Sequence, residues 1–497
     1  MSITSVFLLF AVIIPASSYA WGMRGTTIGG EKGAMLPGAL IGAILALSSD
    51  ILIVQENFFV FAALGAVAMY FGGCMTYGET LSFSMSAYPA VDMKKGLAAL
   101  ALKGFFWFGV FGAIFTTGVS AITNKYNTID LIFIFVATPI LALLGLRLFN
   151  RPHNKDEVKF PKIYFSKTRK EYWGALAGLL ASLLLVNIIK FNWYVVGFTL
   201  ICGLFGAIGW ILGQLLQIYF LHKAKSSHLD IIRKCSDKGL FDSWKAMECT
   251  LGAVGGVGCT IAFLVTYNNF KEMMFSLELK GGLYELNPTL SKIFLVIWFI
   301  LLALDMLHYF VKKPLSVAEL KEHYAAGKID LSEYTKKMFK ALPQPNNISP
   351  VFSKFIEAYE FVVYAAIPFI LICLGCSHAA QTMTFFMLYW VLAQEIGFEN
   401  KFHRIPLTIF GLISLIIQFP LGINFSASST FILYTVVYEV LSVTFLVKQM
   451  LEKQDKDLEL NKRKQLVEEI RFILHNKSFL VTHCYFVICI ILILNLI

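Results

Sequence analysis

Phe58-Phe-Val-Phe-Ala-Ala-Leu-Gly65-Ala-Val-Ala-Met-Tyr-Phe-Gly72-Gly73 is an apolar run without a single charge, and it decides the fold class. A helix needs about 20 mostly apolar residues to cross a bilayer. Residues 57–74, this run with its flanks, are long enough to do so. The glycines would let a second helix approach closely, which is how helices associate in lipid. By the same rule of about 20 residues, about fourteen such runs line the chain. They are 3–20, 34–49, 57–74, 96–122, 131–149, 173–189, 193–221, 249–267, 292–311, 356–376, 380–398, 405–422, 428–447 and 478–497.

The composition agrees. The 497 residues are 57% hydrophobic and only 15% charged, with a mean hydropathy of +0.68. A soluble chain is nearer half apolar and a quarter charged, which speaks against a soluble enzyme, a nucleic-acid binder or a disordered protein. The net charge of +10 must therefore be read loop by loop. With the N-terminus outside, the inside loops hold 36 of the 42 Lys and Arg residues. Basic residues gather on the cytoplasmic side, so both the span count and the orientation fit, with both termini outside. The first run ends Ser17-Ser18-Tyr19-Ala20, like a signal-peptide cleavage site, but no positive residue precedes it. A retained helix is the expectation.

Internal repeats follow from the glycine pattern. Gly65-Ala-Val-Ala-Met-Tyr-Phe-Gly72 resembles Gly206-Ala-Ile-Gly-Trp-Ile-Leu-Gly213. Glu31 stands before Gly38 as Glu171 stands before Gly178, and Gly109/Gly112 match Gly255/Gly258. Trp210-Ile-Leu-Gly-Gln214 matches Trp390-Val-Leu-Ala-Gln394. The expected fold is an all-α polytopic membrane protein with parallel repeats of four helices. A flanking helix (1–20) precedes a first unit (21–150) and a second (151–315). A cytoplasmic hairpin (316–350), a weaker third unit (351–448), a charged segment (449–477) and a final helix (478–497) follow. Binding sites in repeat-built transporters lie where repeats meet. The competing explanation is that Gly/Ala-rich spans look alike by composition.

Ionisable residues inside spans are costly and are functional candidates by default. Glu439 lies near the middle of its span, and Asp305 and His308 share a helix face; these three are candidates for carrying a proton or cation. Lys103 sits two turns into the fourth span. At the inside ends lie four clusters. The first is Trp21-Gly-Met-Arg24 through Glu31-Lys32, rich in glycine. Gly25-x4-Gly30 has the outline of a phosphate loop, but Lys does not follow the second glycine and no Ser or Thr follows Lys. A broken helix whose free N–H groups meet an anion or a hydroxyl-rich solute is the alternative to a tight turn with a salt network. The others are Tyr77-Gly-Glu79, Trp244-Lys245-Ala-Met-Glu248, and Trp390-x3-Gln394-Glu395, with Trp210 and Gln214 as the repeat match of the last. An aromatic face beside a carboxylate or amide suits a sugar or polyol. An interfacial aromatic belt explains the rings but not the glutamates. End glutamates can also snorkel to the headgroups.

The segment Ser316-Val-Ala-Glu319 through Gly327 to Leu342 reads as a capped helical hairpin. It resembles the small SHOCT module found on unrelated bacterial proteins, which implies a helical hairpin at 316–342 and no particular activity. The run 449–477 reads as a charged helix at the inner surface. No metal and no cofactor is expected. Cys373-x-x-Cys376 beside His378 lacks a full ligand set, and buried cysteines are usually small hydrophobes.

The expected function is a secondary active transporter of a small polar solute, sugar-like in chemistry, in the cell inner (plasma) membrane. Its partners are the bilayer, the solute and a proton or cation, and not nucleic acid. The alternatives are a membrane-embedded transferase or a flippase for a lipid-linked sugar at the cytoplasmic face, and a non-catalytic subunit of a membrane complex. A transferase would use groups such as Glu31, His222, Glu248 and His403. The sequence has no His-Glu-x-x-His and no Asp-rich pair at a span end.

Overall fold

The computed structural model describes residues 1–278 except 2, 25–29, 74, 76, 85–92, 151–162, 164, 166–170 and 224–242. It also describes 289, 293, 294, 296, 297, 300 and 362–376. Every regular element among the described residues is helical. In order they are α1 (Ile3–Arg24), α2 (Gly30–Leu47), α3 (Leu52–Glu56), α4 (Phe58–Gly73), α5 (Gly78–Ser84) and α6 (Met93–Ile122). Then come α7 (Thr128–Phe149), α8 (Trp173–Ile189), α9 (Trp193–Lys223), α10 (Ser243–Val265) and α11 (Tyr267–Glu278). A π-helical turn (Val362–Ala366) leads into α12 (Ile367–Cys373). Among the described residues, five helical stretches are long and apolar enough to cross a membrane: 5–22, 93–122, 128–149, 193–219 and 243–277. The last joins α10 to α11, so the first half of the expected outside loop 268–291 is helix, with Phe270, Met274 and Leu277 buried. The expected spans from 380 onward, the hairpin at 316–342 and the run 449–477 lie outside the described residues.

Consecutive long helices alternate in direction, and contacts at the two ends show it. At one end the Met1 ammonium pairs with Asp50 (3.3 Å), and Lys190 pairs with Asp130 (2.7 Å). The Asp50 N–H donates to the Tyr267 hydroxyl there (3.3 Å). Asn127 and Asp130 cap α7 reciprocally at this end. A buried network joins the neighbouring loops: the Tyr126 hydroxyl donates to Asn187 Oδ1 (2.6 Å) and accepts from Asn192 Nδ2 (3.2 Å). Burial, opposed by the hydrogen bond from Asn192, pushes the Tyr126 hydroxyl up to about 12. At the opposite end Lys245 Nζ donates to the Gly22 carbonyl (2.7 Å), and the Gly174 N–H donates to Asn150 Oδ1 (2.6 Å).

Glycines set which helices touch. Side chains cannot intervene where a Cβ would strike a facing backbone, so such helices meet backbone to backbone. Gly38 faces the Gly65 carbonyl across α2 and α4, and Gly104 faces the Gly206 carbonyl across α6 and α9. Gly145 and Gly174 do the same across α7 and α8, and Gly252 meets the Ser17 carbonyl across α10 and α1. Every residue of α4 is buried. By contrast, α7 leaves Ile129, Ile132, Val136, Ile140 and Leu143 exposed among the described residues, a composition suited to lipid. The glycines aligned by the sequence repeat do not share partners. Gly38 meets Gly65, whereas its match Gly178 meets Leu141; Gly65 meets Gly38, whereas its match Gly206 meets Gly104. A glycine face fixes that a helix is approached closely, and the rest of the packing fixes by which one.

Candidate functional site

The first turns of α10 place Trp244, Lys245 and Glu248 together, because residues three and four apart share a helix face. Glu248 is 1% exposed. Its Oε1 accepts from the Trp244 indole N–H (3.2 Å) and from the Tyr77 hydroxyl (3.1 Å). Its Oε2 lies 3.1 Å from Lys245 Nζ, which is also bonded to the Gly22 carbonyl. A carboxylate leaves water only at a cost of several kcal/mol. Two neutral donors and one ammonium offset that cost here.

Further aromatic rings pack on Tyr77, one of this carboxylate's donors. The Tyr77 ring lies 4.7 Å from Trp210, 6.2 Å from Trp107 and 6.5 Å from Trp244. Trp21 meets Trp107 edge to face at 5.1 Å. Tyr77 is delivered by the link after α4, just before α5, where Gly72 packs against the Trp107 indole. The end of α4 and the helix α6 thus come close because Gly72 leaves room for the Trp107 indole.

On α9, Trp210 and Gln214 lie one turn apart, and Gln217 lies three residues further on. All three are buried. Trp210 Nε1, both amide atoms of Gln214 and Gln217 Oε1 have no hydrogen-bond partner among the described residues. Each such buried group costs about 1–3 kcal/mol. Unmatched polar atoms thus lie beside a paired carboxylate and several indoles.

A second polar centre stands close by. Lys103 Nζ and Glu171 Oε2 are 3.0 Å apart with both side chains fully buried. The Oε2 contact is an ion pair whose angle falls outside that of a hydrogen bond. Lys103 donates to Thr80 Oγ1 (2.9 Å), and Thr80 donates to the Phe165 carbonyl (3.3 Å). Glu171 Oε1 accepts from the Phe165 N–H (3.0 Å), and Lys103 Nζ lies 5.8 Å from the Phe165 ring centroid. The stretch from Tyr77 to Thr80 therefore touches both centres.

Of the residues singled out in the sequence, the structure brings Trp21, Tyr77, Trp210, Trp244, Lys245 and Glu248 together, with Gln214 one turn along from Trp210. Arg24 ends α1, Glu31 and Lys32 lie in the first turn of α2, and Glu79 lies in α5; their side chains are outside the described part. Trp390, Gln394, Glu395, Asp305, His308 and Glu439 lie outside the described residues. Sequence reading missed Trp107 and Gln217, and did not pair Lys103 with Glu171. Spacing held a clue to two of them: Trp107 is four residues after Lys103, and Gln217 three after Gln214. No group of three or more His, Cys, Asp or Glu suited to a metal occurs among the described residues. Cys373 is a buried free thiol, and Cys376 is buried. Comparison with known proteins finds no matching family model, no matching curated protein and no matching solved structure.

Proposed function

We propose that the chain is a secondary active transporter that carries a small polar solute, sugar-like in chemistry, across the cell inner membrane. In this reading about fourteen helices cross the bilayer in parallel four-helix units, and both termini are outside. The Glu248 end is then cytoplasmic, and Asp305, His308 and Glu439 carry the coupling proton or cation. One observation carries the proposal: among the described residues the Gln214 amide is fully buried with neither polar atom partnered, and Trp210 Nε1, one turn away, is equally unmatched. A stable core would fill that place with leucine. A solute that supplies the missing hydrogen bonds explains why it does not.

The test is thermal unfolding of the detergent-purified protein with a ligand panel. The panel holds sugars, polyols, organic acids, amino acids, nucleotide sugars and polyprenyl phosphates. A ligand bound only by the folded state raises stability by about 2.7 kcal/mol at a hundred times its dissociation constant. The expected hit is a simple sugar or polyol. Gln214→Leu should abolish that shift while raising the stability of the free protein by about 1 kcal/mol, since an unpartnered buried amide is removed. A hit only among activated donors or lipid phosphates would favour the transferase or flippase. A shift that survives Gln214→Leu would refute the site.

A further inference from the structure

Beyond the binding cluster, α9 carries two buried hydroxyls with no hydrogen-bond partner among the described residues, Tyr194 in its first turn and Thr199. Thr199 Oγ1 is fully buried and has no hydrogen-bond partner among the described residues. A threonine in an apolar helix ordinarily turns its hydroxyl onto the carbonyl four residues back. Thr116, Thr250, Thr260 and Thr266 all do so in this protein. Thr199 does not.

At about 100° per residue, Thr199, Trp210, Gln214 and Gln217 fall within about 60° of arc on α9. From Thr199 to Gln217 the helix rises about 27 Å, close to the hydrocarbon thickness of about 30 Å. This face lies against α6. A Cβ on Gly112 would stand 2.9 Å from Thr199 Cα, and one on Gly104 would strike both the Gly206 carbonyl and the Trp210 ring. Elsewhere around α9, Leu200, Leu204, Leu212 and Leu215 are exposed. Apart from Tyr194 in its first turn, the helix thus has an apolar outer face, and an inner seam of unmatched polar groups runs most of its length.

The charges beside the seam neutralise one another: Lys103 pairs with Glu171, and Lys245 with Glu248. Along the seam, what remains unmatched among the described residues is the Thr199 hydroxyl, the Trp210 indole N–H, the Gln214 amide and the Gln217 amide oxygen, all neutral. We infer that the α6–α9 seam is the solute's route through the molecule, and that the solute is uncharged and bears hydroxyl or amide groups; this rests on the transporter reading. The Gly104–Gly206 crossing closes the route in this conformation. Gln214 and Gln217 lie on one side of it and Thr199 on the other.

The test uses the full-length protein in proteoliposomes with Thr199→Cys, Gln217→Cys and, as the outward-facing control, Leu204→Cys. Small membrane-impermeant methanethiosulfonates, one cationic and one anionic, are the probes. Adducts are counted by intact mass against the unsubstituted protein, which subtracts its own cysteines. A thiol reacts as its thiolate, and apolar burial suppresses the thiolate. The two seam positions should react at least tenfold faster than position 204, each from its own side of the membrane. The two probes should react at rates within threefold of each other. Seam positions no faster than position 204, or both reached from one side, would overturn the route. A hundredfold preference for one probe charge would overturn the uncharged solute. Gln214→Cys replaces Gln217→Cys if that variant does not fold. Should the seam stay unreactive while the Gln214-dependent melting shift persists, the route fails and the binding reading stands. Loss of that shift would remove both.

Discussion

At the scale of single residues, buried polar groups fall into two kinds, and they predict opposite outcomes. Lys103 and Glu171 form a fully buried ion pair, with Thr80 and the Phe165 N–H as further partners. Removing one leaves the other charge buried, so Lys103→Met should destabilise the protein by about 3–5 kcal/mol, and adding Glu171→Met should restore most of the loss. Thermal unfolding of the two variants in detergent checks this; equal destabilisation by single and double variants would contradict it. Tyr126 is also satisfied, through Asn187 and Asn192. Tyr126→Phe should cost about 1–3 kcal/mol, because Asn187 Oδ1 loses its donor. The Tyr126 hydroxyl has its folded value pushed to about 12, above the ordinary value of about 10. Its stabilisation is therefore complete below about pH 10 and is lost as pH climbs through about 12. Melting curves across that window should flatten in Tyr126→Phe. Gln214 is the other kind: unsatisfied, it should be replaceable by leucine with a gain in stability and a loss of binding.

At the scale of elements, glycine decides the packing. A Cβ on Gly65 would strike the Gly38 carbonyl, whereas one on Gly197 would meet only a methyl of Thr266, at 3.3 Å. Gly65→Ala should thus cost about 1–3 kcal/mol or more through overpacking. Gly197→Ala should be neutral or stabilising by up to about 1 kcal/mol through helix propensity. Melting temperatures of the pair would separate the two, and equal effects would contradict the backbone contact. The helices themselves were legible because an apolar run reports its own length: 173–189 and Trp173–Ile189 coincide. Helix partners were not. The run Gly206 to Gly213 looks like the run Gly65 to Gly72, yet their neighbours differ, since pairing depends on side chains far away in sequence. The same reason hid the link from Lys103 to Glu171, 68 positions apart, with Thr80 of α5 and Phe165 bonded beside them.

At the scale of the whole molecule, the described helices form an alternating bundle with a polar cluster at one end. The cluster was half legible. Tryptophan beside glutamate at a span end marked Trp244 and Glu248, and Tyr77 came from its own cluster in another loop. That these clusters meet around one carboxylate is a property of the fold, which places the link after α4 beside the start of α10. The central claim is that this cluster serves the passage of an uncharged polar solute. The most direct measurement is uptake of radiolabelled glucose, mannitol and glycerol into proteoliposomes, wild type beside Gln214→Leu, with empty vesicles as the baseline. The account predicts uptake of at least one of the three above the baseline, saturable by its unlabelled form and lost in Gln214→Leu. Uptake at the baseline for all three, or equal uptake by wild type and Gln214→Leu, would contradict it.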